Sequence, residues 1–162
     1  MNTVMNCYIL KGIVRKTEGQ EKKHYTQMSF EEKLYLRNKI KAIDLTRIKI
    51  SKHLKKKEID FNLADIIKII KTSKYKIIEY NETFMPDFLD CRVLLRSFDF
   101  FKVRNKGKDN IELANVCFVI SLINNRLITV YYNVINDNHC DMNYQRYNGS
   151  LKIIKNTESE AV

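Results

Sequence analysis

At Tyr75 the hydrophobic pattern of this chain changes period, and that change limits the folds open to it. Upstream, apolar residues recur at helical spacing: Leu63, Ile66, Ile67 and Ile70 mark one face of a helix, with Lys68 and Lys71 outside it. Downstream they alternate, as in strands. Lys76-Ile77-Ile78-Glu79-Tyr80 reads as a first short strand, followed by a loop over residues 81–90 that holds the only proline. Arg92 to Val103 reads as a long second strand, residues 105–110 with Gly107 as a hairpin connection, and Leu113 to Ile123 as a third strand. Asn124-Asn125 then turns the chain into a fourth strand, Arg126 to Val134, because Asn tolerates positive φ.

Helix starts are written before that point. Ser29 and Glu32 have capping-box spacing, which predicts a helix from there to about Asp44, with Leu34, Leu36, Ile40 and Ile43 inward and Lys33, Arg37, Lys39 and Lys41 exposed. Ser51 caps a short helix carrying His53, Leu54 and the run Lys55-Lys56-Lys57, and Asn62 opens the next one. Leu45 to Ile50 fits either an extended segment or more helix. Helices followed by strands predict an α+β fold, with N-terminal helices packed on one face of a four-stranded antiparallel meander. The expected organisation is an N-terminal strand and polar linker over 1–28, a single α+β domain over 29–155 and a frayed tail over 156–162.

A chain of 162 residues with 44% apolar content has length for one domain and a core to hold it. It contains no apolar run of about 18 residues and no secretion-signal pattern, so the expectation is a cytoplasmic protein with no membrane partner. Cys7, Cys91, Cys117 and Cys140 form no CxxC pair and no zinc-spaced cluster with histidine. Asn136, Asp137, Asn138, His139 and Asp141 read as a turn rather than a metal site, and no nucleotide-binding glycine pattern occurs. No metal or other cofactor is expected.

The net charge of +10 is unevenly placed: residues 1–75 hold 18 Lys/Arg against 8 Asp/Glu, and the remainder 11 against 11. An electropositive face toward a polyanion or an acidic protein follows. Strand parity puts Arg92, Leu94, Arg96 and Phe98 on one side, the arginines roughly 13 Å apart, and Thr129, Tyr131 and Asn133 on one side of the last strand. If the helices cover the apolar face, Arg92, Arg96, Thr129 and Tyr131 line the uncovered one, a surface suited to phosphates and stacked bases. Lys52, Lys55, Lys56, Lys57, Lys68 and Lys71 would add phosphate contacts from the helices. Of the three histidines, His24 falls in the linker and His139 in a loop, which leaves His53 best placed for acid–base chemistry.

These residues also carry a resemblance. Ser51-x-His53-Leu54 opening a helix, Leu63-Ala64-Asp65-Ile66-Ile67, Ile77-Ile78-Glu79-Tyr80, Arg92-Val93-Leu94 and Leu127-Ile128-Thr129-Val130-Tyr131 resemble the BrnT/RelE-like superfamily of small toxin-type ribonucleases, over residues 51–133. The resemblance implies metal-independent RNA cleavage with the ribose 2′-hydroxyl as nucleophile. His53 would then be acid or base, Arg92 or Arg96 would stabilise the charged phosphate, and Tyr131 would stack or assist proton transfer. The expectation is a small basic RNA-interacting protein, in its catalytic form a toxin-like endoribonuclease. The alternative is a non-enzymatic phage or mobile-element inhibitor, anti-defence in character as anti-CRISPRs are. Its partner would be RNA, a ribonucleoprotein or an acidic protein, and an exposed edge strand would allow a homodimer.

Overall fold

The computed structural model describes residues 19–57, 60–104, 110–135 and 145–155. The strand expected before residue 15, residues 105–109 of the hairpin connection, the loop at 136–141 and the tail from 156 lie outside the described residues. Three α-helices are present among those described: α1 (Phe30–Lys41), α2 (Lys52–Lys56) and α3 (Leu63–Lys71). They accompany seven strands, β1 (Gln20–His24), β2 (Lys49–Ile50), β3 (Tyr75–Phe84), β4 (Leu89–Ser97), β5 (Phe101–Arg104), β6 (Ile111–Ser121) and β7 (Arg126–Val134). The strands form one sheet in the order β1-β3-β4-β6-β7-β2, with β5 also paired to β6.

This architecture corrects the expected four-stranded antiparallel meander under N-terminal helices. The sheet is larger and mixed, since β2 runs parallel to β7 while the other pairs are antiparallel. Three strands escaped the periodicity for separate reasons. β1 reads QEKKH, a polar sequence inside the expected linker, yet it pairs with β3 from Gln20↔Thr83 to His24↔Glu79. β2 has only two residues, at the end of the stretch Leu45 to Ile50 that fits either an extended segment or more helix; it is held where Lys49 N donates to Asn125 O at 2.9 Å. β5 is cut from β4 by residues 98–100, so the expected single run from Arg92 to Val103 is two strands on the same flank of β6. The expected loop over 81–90 shrinks to residues 85–88, because β3 and β4 continue their pairing to Phe84↔Leu89.

The helix starts follow their caps. Ser29 Oγ accepts from Glu32 N at 3.1 Å while Glu32 Oε1 accepts from Ser29 N at 3.0 Å. Ser51 Oγ accepts from Leu54 N, and Asn62 Oδ1 from Ala64 N. Leu36 and Ile40 of α1, Leu54 of α2 and Ile66, Ile69 and Ile70 of α3 share one apolar core with Ile77, Tyr80, Val93, Leu95, Val116, Phe118, Ile120, Leu127 and Val130. A register shift between Ile77 and Glu79 turns Ile78 into a second, smaller cluster on the other face, with Leu94 and Cys117. Asn125 in the β6–β7 turn has φ +50°, the conformation Asn accepts at low cost.

One buried ion pair ties three distant segments. Lys23 on β1, with 7% of its side chain exposed, donates to Glu32 Oε1 and Oε2 at 2.9 and 3.0 Å and to Leu151 O at 2.9 Å. Burial acts to raise the Glu32 pKa, but the Ser29 amide, the Lys23 ammonium and the Ile153 amide outweigh it, so the carboxyl titrates below its ordinary 4.5. A depressed folded-state pKa means stabilisation fully present above the unfolded value and lost as pH falls through the folded one. Glu32→Gln should therefore cost about 3 kcal/mol in urea denaturation at pH 7, and the gap should narrow as both proteins are taken below pH 4.5. A gap that stays constant with pH would contradict this assignment.

Candidate nucleic-acid interface

The sheet gives its two faces different chemistry. On the face opposite the helices, register places His24, Glu79, Asn81, Arg92, Leu94, Arg96, Asn115, Cys117, Val119, Thr129, Tyr131 and Asn133. Arg92, Arg96, Thr129 and Tyr131 thus lie on the same side of the sheet, but it is not the wet surface expected of it. Arg96 is only 3% exposed, and Asn81, Asn115, Ser121 and Asn133 are buried too. Arg96 Nε donates to Asn115 Oδ1 at 2.9 Å, and a terminal nitrogen reaches Val134 O at 3.3 Å. Arg92 Nε donates to Asp90 Oδ2 at 2.7 Å, while Asp90 Oδ1 accepts from Ser121 Oγ at 2.6 Å. Ser121 Oγ in turn accepts from the amides of Ile123 and Asn124, so this chain of bonds shapes the β6–β7 turn.

Tyr131 packs on the Ile78, Leu94 and Cys117 cluster. Burial, with Cys117 and Glu79 nearby, pushes its hydroxyl well above the usual phenol range. Next to it on this face, Tyr147 OH donates to Glu79 Oε1 at 2.8 Å and its ring stands edge-on to His24 at 5.1 Å. His24 is thereby a buried, engaged residue rather than a linker residue. Among the described residues no buried side-chain nitrogen or oxygen lacks a hydrogen-bond partner, and no group of three His, Cys, Asp or Glu is placed to hold a metal ion.

His53 stands elsewhere. Helix α2 hangs on the β7 edge, where Ser51 N donates to Leu127 O at 2.9 Å and Ser51 Oγ to Ile128 O at 2.7 Å. Leu54 is turned into the core, which leaves Lys52, His53, Lys55, Lys56 and Lys57 exposed. The structure brings His53 together with the lysines and not with Arg92, Arg96 or Tyr131. On α3, burial of Ile66, Ile69 and Ile70 directs Lys68 and Lys71 to solvent in the same way. None of these six lysines makes an ion pair with a described residue.

Beside Lys68 lies a cleft of about 380 Å³ between α3 and the β4–β5 connection, lined by Asp65, Lys68, Ile69, Thr72, Asp99, Phe100 and Phe101. Ile69 is buried and Phe101 half-buried, its ring edge-on to Tyr132 at 6.3 Å, so these two form the floor. Phe100 is 58% exposed at the rim. Sequence reasoning missed this place because Phe98-Asp99-Phe100-Phe101 fell inside one expected strand. The available signal was three phenylalanines within four residues, more than one buried face of a strand can take.

Compared with known proteins, the chain matches no family model, no curated protein and no solved structure. Among the described residues no helix is long and apolar enough to cross a membrane. The roles of the two faces separate in mutagenesis. Asp90→Ala, which strips the Arg92 guanidinium and the Ser121 hydroxyl of a buried partner, should cost about 2 kcal/mol or more in chemical denaturation. Replacing Lys55, Lys56 and Lys57 together by Ala should leave stability nearly unchanged, and a large loss there would assign the lysines a structural role.

Proposed function

We propose that this is a cytoplasmic RNA-binding protein that contacts single-stranded RNA through the lysine-bearing sides of α2 and α3. The observation that carries the reading is the sorting of charge. The buried acids Glu79, Glu82 and Asp90 are paired with Lys22, Lys155 and Arg92, and the half-buried Glu32 with Lys23. Exposed acids among the described residues are Glu31, Asp60, Asp87 and Asp99, with Asp44, its side chain 44% exposed, paired to Arg47. The lysines of α2 and α3 are left facing solvent, with Lys52, Lys55 and Lys56 at the i, i+3 and i+4 positions that share one helix face. Lysine ammoniums are flexible point charges, suited to a phosphate backbone whose positions are not fixed in advance. A pliable single strand can follow two short helices. The distance in the fold between His53 and the arginines of β4 favours binding without turnover.

The test is fluorescence anisotropy with an end-labelled single-stranded RNA across a series of salt concentrations, with the strand resolved on a gel after incubation in EDTA. Affinity should fall steeply with salt, and the Lys55, Lys56 and Lys57 triple alanine variant should bind more weakly with a log–log slope shallower by about 2. Salt-insensitive binding would overturn the proposal. Cleavage in EDTA that His53→Ala abolishes would replace it with the ribonuclease reading, and neither binding nor cleavage would shift the assignment to an acidic protein partner.

A further inference from the structure

We infer that the cleft between α3 and the β4–β5 connection is a subsite for one unpaired base carrying an exocyclic amino group, with guanine the best fit; this rests on the RNA-binding reading above. Three observations meet there. First, the cleft has the size of a small-ligand site and an apolar floor, Ile69 and Phe101, with the exposed Phe100 ring at its rim. An exposed phenylalanine beside lysines is the arrangement on which splayed bases stack. Second, its polar lining holds two carboxylate residues, Asp65 from α3 and Asp99 from the connection, beside Lys68 and Thr72, and neither acid makes an ion pair with a described residue.

An ionised carboxylate only accepts hydrogen bonds. Uracil presents one N–H between two carbonyl oxygens and so offers the two carboxylates a single donor. Guanine presents N1–H and its amino group side by side, and adenine and cytosine each offer an amino group, so the two carboxylates favour these bases over uracil. Lys68 at the cleft, Lys71 one helical turn on, and Lys74, whose carbonyl accepts from Phe98 N at 3.1 Å, supply cations for the flanking phosphates.

Third, the connection is held rigidly from the opposite face of the sheet. Asn115 Nδ2 donates to Ser97 O at 2.9 Å and to Asp99 O at 3.3 Å, and Ser97 Oγ also donates to Asp99 O at 2.9 Å. Arg96 fixes the other end of the same amide at Oδ1. Arg96 and Asn115 are thus positioning residues for Asp99 and Phe100, and the site needs little ordering when a base enters.

The experiment measures anisotropy with four fluorescein-labelled heptanucleotides, all uridine or uridine with a central guanosine, adenosine or cytidine. Wild-type protein should bind the guanosine heptamer about tenfold more tightly than heptauridine. Asp65→Asn with Asp99→Asn, isosteric and soluble replacements, should remove that preference. Phe100→Ala should weaken the guanosine heptamer about tenfold, and Phe100→Tyr should restore it. Thermal melting of each variant checks that the fold is intact. Equal wild-type affinity for all four heptamers, or a preference that survives the double Asn variant, would overturn the subsite and leave RNA binding standing. No binding to any heptamer at low salt would overturn both.

Discussion

The helices exist because the sheet offers them a single continuous apolar face. With twelve, five and nine residues, α1, α2 and α3 fall at or below the length at which an isolated helix holds together in water. Their stability comes from burying Leu36, Ile40, Leu54, Ile66, Ile69 and Ile70 against Val93, Leu95, Phe118, Ile120, Leu127 and Val130. That dependence also fixes their outward faces. Once Leu54 points inward, a five-residue helix has nowhere to put Lys52, Lys55 and Lys56 except solvent. The basic surface is a consequence of how the core is made.

The sorting of charge has the same origin. A carboxylate drawn under the sheet or a helix end must bring a cation with it, because an unpaired buried charge is costly. Glu32 takes Lys23, Glu79 takes Lys22, Glu82 takes Lys155 and Asp90 takes Arg92. Each such pair is neutral and removes an acid from the surface. The remaining lysines then dominate what an approaching partner meets. Burying these neutral pairs leaves the net charge of +10 unchanged but raises the ratio of basic to acidic groups among the side chains that remain outside.

Much of the fold was legible in short-range patterns. Ser29, Ser51 and Asn62 announce their helices because a capping side chain acts within three residues of itself, and β7 spans the residues its alternation predicts. What stayed hidden depends on partners far along the chain. The strand character of β1 comes from its pairing with β3, which leaves no local hydrophobic period, and the choice between extended and helical at β2 is made by the turn at Asn125. Parity correctly grouped Arg92, Arg96, Thr129 and Tyr131, but periodicity says only which face a side chain takes. It does not say whether Asp90 or Asn115 will claim it.

That last difference decides what the arginines of β4 do. A guanidinium presents a planar fork of donors, and it is most effective where its partners hold still. Arg96 meets such a partner in Asn115, and by occupying Oδ1 it leaves the amide nitrogen no orientation but toward the carbonyls of Ser97 and Asp99. The turn that follows is set by that choice, and with it the place of Asp99 and Phe100 opposite α3. An arginine in that position cannot also meet a phosphate. What it does instead is hold the backbone of the β4–β5 connection in place, while the exposed lysines of α2 and α3 lie on the other side of the sheet.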